Sequence, residues 1–369
     1  MLTTIDEVIL HRLRVPLFKP YNLSLAKISA LDSIVGEVRD TSGRLAFGES
    51  TVITGYTHET IDGAWTFLLE HGARIIGSEI SAAKDSFDSY RESDPHAVSV
   101  LQVALEMLDS NAILIPTDEE IRVPILAPVN SKDHGKVPDE VEALLAQGFG
   151  TLKVKVGWDV DQDLERLRLI QRTNAGRATL RLDANQGYTR EQALRFAGAL
   201  DTDSIQLFEQ PCGAKDWDSN AAVAAAAPVP VMMDESIYGF RDIDRAGAMT
   251  GCGFVKLKIS KSTGVDLLTE GLQRIESLGM GPILGNGAAT DIGCWIEACV
   301  ARAATPHAGE MHGFLKNREQ LLQDPLVFDD GAIVLRPGYT PTLDQAALTR
   351  LTVGSERFAT TRIVMGAEL

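Results

Sequence analysis

The chain has 369 residues and only four cysteines, Cys212, Cys252, Cys294 and Cys299, scattered along its second half. So few thiols, so spaced, exclude a disulfide scaffold and fit a reducing cytoplasm. Positive charge is scarce too: 35 lysines and arginines face 51 aspartates and glutamates, a net charge of −16. That balance disfavours a phosphate backbone, so no nucleic acid is expected as a partner. No window of about 18 uninterrupted apolar residues exists; even AAVAAAAPVPVMM is broken by Pro228 and Pro230, and no membrane association is expected. The opening MLTTIDEVILHRLRVPLF lacks a basic segment before its apolar run and reads as a β-strand, not a signal peptide. Aromatic residues are 6% of the chain, yet hydrophobic residues reach 44% and charged ones 23%, the balance of a soluble globular protein. A length of 369 residues predicts two domains. The acidic exterior does not exclude a small anionic substrate, because a metal or a few lysines outweigh it locally.

Strand-like segments at 34–38 and 45–49 flank a turn-rich stretch at 40–43 and predict a hairpin. Helical periodicity follows at 57–69, 82–90 and 96–109, so the first part is α+β. After Pro116, an acidic run and Pro124, the texture changes. Short Val, Ile and Leu runs at 123–128, 151–156, 178–182, 204–208, 229–233, 253–259 and 282–284 alternate with helical patterns. A weaker eighth run falls at 308–312, and eight such units predict a closed α/β barrel of the TIM type. The division expected is an N-terminal part of the cap at 1–118, a catalytic barrel at 119–323, and a segment at 324–369 that returns to the cap. Within the last segment, 333–335 and 361–365 read as strands around a short helix.

Lys155, Asp183, Glu209, Asp234, Lys258, Asn286 and Glu310 stand at the ends of successive strands, at intervals of 28, 26, 25, 24, 28 and 24 residues. One polar residue at a strand end is ordinarily a turn or cap residue. Several in phase converge on one barrel mouth. Asp183, Glu209 and Asp234 are hard oxygen donors from consecutive strands, suited to Mg²⁺ or Mn²⁺, and their like charges demand a cation. Asn185 and Glu235 stand beside these ligands, the former as hydrogen-bonding support and the latter as partner to a nearby lysine. Lys153 and Lys155 alternate along one strand and point the same way, while Lys258 ends a strand on the opposite side of the ring. Lys256 alternates with Lys258, and Lys261 follows in the loop. Such a set removes the α-proton of a carboxylate substrate: a metal faces the charge of the enediolate, one lysine takes the proton, and the other serves the opposite face.

The motifs LKVKVG, LDANQG, FEQP, MDES and LKISKSTG resemble those of the enolase superfamily, in the branch that holds muconate lactonising enzymes, dipeptide epimerases, N-acylamino acid racemases and o-succinylbenzoate synthases. The resemblance spans nearly the whole chain. It implies a (β/α)7β barrel with an α+β capping domain built from both chain ends, and dependence on Mg²⁺ or Mn²⁺. It also implies Lys155 as base with Lys153 as its support, Lys258 as the opposing acid or base, and Asp183, Glu209 and Asp234 as metal ligands. Where that branch carries a methionine and a glutamate after the seventh strand, GNGAATDIG offers Asn286 and Asp291. Where dipeptide epimerases carry two aspartates on the eighth, GEMHGF offers Glu310 and His312. The resemblance further places early loops over the mouth, bringing Tyr21, Leu23 and Tyr56 to the substrate.

The expected function is that of a racemase or epimerase acting on a small carboxylate, an amino-acid derivative for preference, with Glu310 available to an ammonium group. A muconate-type cycloisomerase and a syn-dehydratase of the o-succinylbenzoate synthase type share the same motifs. A non-catalytic barrel serving as a binding module is the remote alternative. A homo-oligomer is compatible with the sequence.

Overall fold

The structure is a computed structural model that describes residues 3–22, 27–55 and 57–360, without the side chains of 21, 22 and 27. Leu23, Tyr56, the side chain of Tyr21 and the strand expected over 361–365 therefore lie outside the described residues.

Three long strands open the chain, β1 (Ile5–Asn22), β2 (Lys27–Asp40) and β3 (Leu45–Thr51), followed by helices α1 (Ile61–Arg74), α2 (Ile80–Asp85) and α3 (Pro95–Leu108). The expected hairpin at 40–43 joins β2 to β3, with Asp40 accepting the backbone N–H groups of Ser42 and Arg44. α3 lies on this sheet, and Val100, Leu101 and Leu105 pack with Val8, Leu10, Ile34 and Leu68 in a core of their own. This is the capping subdomain.

Next come β4 (Ile121–Pro124) and β5 (Ala127–Val129), and then helix and strand alternate. In order they are α4 (Val137–Ala146), β6 (Thr151–Lys155), α5 (Val160–Asn174), β7 (Thr179–Asp183), α6 (Arg190–Gly198), β8 (Ile205–Glu209), α7 (Trp217–Ala226) and β9 (Val231–Met233). The series ends with α8 (Phe240–Gly247), β10 (Cys252–Leu257), α9 (Ile259–Ser262), α10 (Val265–Ser277), β11 (Gly281–Leu284) and α11 (Asp291–Ala304). β5 to β11 form one parallel, seven-stranded sheet whose neighbours follow chain order. The expected strand at 123–128 is thus two: β4 pairs antiparallel with β13 (Ala332–Leu335), itself paired with β12 (Val327–Asp329). The run at 253–259 ends early, because Ile259 already begins α9.

The expected eighth strand at 308–312 is reduced to a bridge. Gly309 N–H donates to Pro124 O at 3.0 Å, Leu126 N–H to Gly309 O at 2.9 Å, and Glu310 N–H to Leu284 O at 2.9 Å, which closes the curled sheet on itself. Gly285 makes the closure feasible: its φ is +122°, and a Cβ there would stand 2.7 Å from Glu310 N. After β13, helix α12 (Gln345–Leu351) leads to β14 (Thr352–Ala359), which pairs antiparallel with β1. The architecture is therefore an α/β fold, a barrel-like curled sheet with a cap that receives a strand from the late chain.

Polar contacts tie cap to barrel. Glu106 of α3 accepts the Val265 N–H at 2.6 Å and so caps the N-terminus of α10, Arg91 donates to the Thr263 hydroxyl at 2.7 Å, and Asn111 donates to Asp266 at 2.7 Å. Burial, with the charge of Asp266, pushes the Glu106 carboxyl up to about 7. Below about pH 4.5 it is protonated folded or unfolded. As pH rises towards 7 the unfolded chain ionises first, so about 3 kcal/mol of stability is lost across that window. Glu106→Gln should flatten the fall in unfolding free energy between pH 4.5 and about 7 by that amount. Denaturant titrations across the range check it, and an unchanged slope in the variant would count against a buried, titrating tie.

Candidate active site

Parallel register places the chemical groups. Lys155 pairs with Asp183 along β6 and β7, and Asp183 with Glu209 along β7 and β8, so one rung of the sheet carries all three. Asp234 follows β9 and Lys258 follows β10. Two residues earlier on the same inward column stand Lys153, Arg181, Leu207, Met232 and Lys256. Leu207, Met232 and Ile283, with Phe254 against them, make a small apolar cluster below the charged layer.

The charges interlock. Lys153 Nζ lies 2.8 Å from Asp183, 3.0 Å from Glu209 and 2.8 Å from Glu310. Lys256 Nζ lies 2.9 Å from Glu209 and 3.2 Å from Asp234, and also bonds Glu310. Lys155 bonds Asp183 at 2.5 Å and the Asn185 side chain, and Lys258 donates to both oxygens of Asp234 at 2.7 and 2.8 Å. Lys261 donates to the backbone oxygens of Asp234 and Ile237. The two outer lysines therefore grip opposite ends of the row Asp183, Glu209, Asp234. Lys155 is the accessible one, with 26% of its side chain exposed against 2% for Lys153.

Burial alone would raise every carboxyl here. The ammoniums of Lys153, Lys155 and Lys256 reverse it at Asp183, held near 2, and neighbouring ammoniums hold Asp234 and Glu310 well below the usual carboxylate range. Glu209 is the exception: burial and the flanking charge of Asp183 push it up to about 7 despite the same lysines. Desolvation opposes the charges of Lys153 and Lys256, but the surrounding acids hold both more firmly protonated than a free lysine. Lys261 goes the other way, lowered to about 8 by burial.

Other expected site residues fall into place differently. Glu235 accepts from the Asn185 side chain at 2.9 Å, so its hydrogen-bond partner is the neighbouring amide, while Lys258 acts on it through space. Asn286 is half-buried and its side chain caps Ala288 N–H. Asp291 is buried, and its oxygens accept the N–H groups of Leu321 and Leu322 at 2.8 to 3.0 Å, which fixes the chain beyond the bridge strand. His312 is buried, and neither ring nitrogen has a hydrogen-bond partner. Sequence reading left unassigned Lys256, which the alternation with Lys258 signals, and Gln210, whose side-chain oxygen accepts the N–H groups of Asp234 and Ser236. Among the described residues no group of three or more His, Cys, Asp or Glu side chains is arranged around one ion, because ammonium groups stand between the carboxylates.

The family model described as enolase C-terminal domain-like matches residues 136–347. The chain belongs to the enolase superfamily, in its mandelate racemase and muconate lactonising branch. It is 26% identical over 318 residues to an L-Ala-D/L-Glu epimerase of Clostridium acetobutylicum, covering 82% of this chain and 86% of the relative. The dipeptide epimerase of Cytophaga hutchinsonii, solved with Mg and the dipeptide D-Ala-L-Val, superposes with a TM-score of 0.87 at 22% identity, over 97% of this chain and 100% of that one. The N-succinyl Arg/Lys racemase of Bacillus cereus does so with a TM-score of 0.87 at 22% identity, over 96% and 99%. At those identities the structural likeness carries the fold. The enolase-superfamily member is an isomerase-type enzyme with racemase or epimerase chemistry on a carboxylate.

Lys256→Met would leave Glu209 and Glu310 buried with one counter-charge fewer, at a cost of about 3 to 5 kcal/mol in unfolding free energy. Adding Glu310→Gln should recover part of that loss, as expected for coupled groups. Denaturant unfolding of both variants checks it; strictly additive losses would sink the coupling.

Proposed function

We propose that this enzyme racemises or epimerises an amino-acid derivative whose amino group is acylated, with Lys155 and Lys258 on opposite faces of the substrate. The carrying observation is their attachment to opposite ends of one carboxylate row, Lys155 at Asp183 and Lys258 at Asp234. Asp183, Glu209 and Asp234 would hold Mg²⁺ or Mn²⁺: they are hard donors from adjacent strands, and the raised proton affinity of Glu209, due to burial and then to the charge of Asp183, is what a divalent cation would relieve. Such an ion supplies charge stabilisation to the carboxylate end of the substrate.

Lys155 as free amine takes the α-proton onto Nζ, leaving the substrate as an enediolate. Lys258 as ammonium returns a proton to the other face and finishes as amine, so the next turn runs in reverse. Lys153 and Lys256, buried among acids, stay charged and favour the developing anion without exchanging protons. Asn185 steadies Lys155 and links it to Glu235.

The acyl group follows from Glu310. Two ammoniums already bind its carboxylate, both at Oε2, and balance its charge, so Glu310 attracts a free substrate ammonium less than an unpaired acid would. His312, next along the same segment, offers neutral polar atoms instead. Tyr21, Leu23, Tyr56 and Asn286 would line the rest of the pocket, with 1–118 and 324–369 as cap and 119–323 as barrel. Four free cysteines, three of them buried, suit the cytoplasm.

Deuterium exchange followed by NMR tests the reading. In D₂O, both stereoisomers of an N-acylamino acid should gain α-deuterium, and faster than free-amino dipeptides. Lys155→Ala should lower racemisation, and exchange from the enantiomer that Lys155 deprotonates, by at least about 1,000-fold while the protein stays folded. Lactone formation from a muconate, or loss of water from a hydroxy acid, would replace the racemase by one of its sister activities.

A further inference from the structure

Glu297 belongs to α11 and is buried against the ends of β10 and β11, yet no step above uses it. Oε1 accepts the N–H of Ile259, the residue after Lys258, at 3.3 Å. The backbone amide of Asn286, just beyond β11, is close enough to act on the same carboxyl, lowering its proton affinity. Oε2 is buried with no hydrogen-bond partner. One helical turn earlier, Gly293 lacks a side chain where the cap approaches: a Cβ there would stand 2.3 Å from Glu49 Oε2 of β3. Glu49 is buried as well and accepts the Thr51 hydroxyl at 2.7 Å. Asp291, on the same helix, is the third acid of this group.

Among the described residues no salt bridge is formed by Glu49 or Glu297, and the charge of Lys258 is felt at Glu297. A buried carboxyl surrounded by other acids and lacking a bound cation keeps its proton. We propose that Glu297, as a neutral acid, is a positioning residue that clamps the ends of β10 and β11 and so fixes Lys258 against the substrate. Burial, with the charge of Glu49, pushes Glu297 up to about 8, which agrees with a neutral group at physiological pH. A neutral carbonyl oxygen suffices for the Ile259 amide, and it leaves the Lys258 ammonium to Asp234.

The kinetic part of the inference rests on the two-lysine racemase proposed above, whereas the clamp itself does not, and the experiment separates them. The variants are Glu297→Gln, which keeps an uncharged acceptor of the same reach, and Glu297→Ala, which removes it. The first arm is amide hydrogen exchange by NMR, without substrate. Glu297→Ala should speed exchange at Ile259 and Asn286 by about 10-fold or more while the rest of β10 and β11 holds, and Glu297→Gln should restore protection.

The second arm is deuterium exchange into N-succinyl-L-arginine and N-succinyl-D-arginine. Glu297→Ala should slow exchange from one enantiomer, the one served by Lys258, by about 10- to 100-fold, with the other within about 3-fold and KM little changed. Glu297→Gln should behave like the wild type. Equal losses from both enantiomers, or a Gln variant as impaired as the Ala variant, would overturn the proposal. If the wild type exchanges neither enantiomer, the racemase reading fails for this substrate, and the two amides decide the clamp: unaltered protection at Ile259 and Asn286 in the Ala variant refutes it.

Discussion

Everything at the mouth of the barrel depends on mutual neutralisation between carboxylates and ammoniums that are out of contact with water. Asp183, Glu209, Asp234 and Glu310 would each be prohibitively costly to bury alone, and so would Lys153 and Lys256. Together they form a lattice in which Lys153 and Lys256 each touch three acids. The lattice demands the parallel register of β6, β7 and β8, since a slip of one residue would turn Asp183 out of the column. It also sets the two outer lysines at its ends: Lys155 holds Asp183 and Lys258 holds Asp234.

The cap answers to a different requirement. Its sheet and α3 have an apolar core of their own, while Leu13, Val15, Val35 and Phe47 of the same strands join the core of the barrel. Its polar ties to the barrel fall in two places: on the turn at Thr263 and the first turn of α10, which follow β10, and on Asn317 and Arg318, which meet β1 at Pro16 and Leu17. The cap is thereby anchored both next to the strand that precedes Lys258 and beside the segment that follows Glu310.

The regular part of this design was legible in the sequence because repetition carries information: a rung of chemistry every βα unit survives errors of a residue or two in each strand. The hairpin at 40–43, the helices of the cap and the ends of β6 to β9 follow from period and punctuation alone. What stayed hidden lacks periodicity. Glu310 and Lys256 are far apart in the chain, and only folding reveals that each is the other's counter-ion. Asp291 sits one turn from a strand end like a pocket residue, but its carboxylate faces the backbone of Leu321 and Leu322. Glu297 lies in the middle of an amphipathic helix where nothing local marks it, and a strand consisting of a bridge at Gly309 has too few residues to show a pattern.

That bridge has a mechanical consequence. Elsewhere around the ring, ladders of backbone bonds join neighbouring strands, whereas the seam between β11 and the first strand is sewn by the few amides of Leu126, Gly309 and Glu310. The Glu310 side chain reaches inward from that seam to ammoniums on β6 and β10, strands well separated around the ring. Its carboxylate thus works as a keystone: the barrel is fastened at its weakest stave from the inside, by charge across the ring.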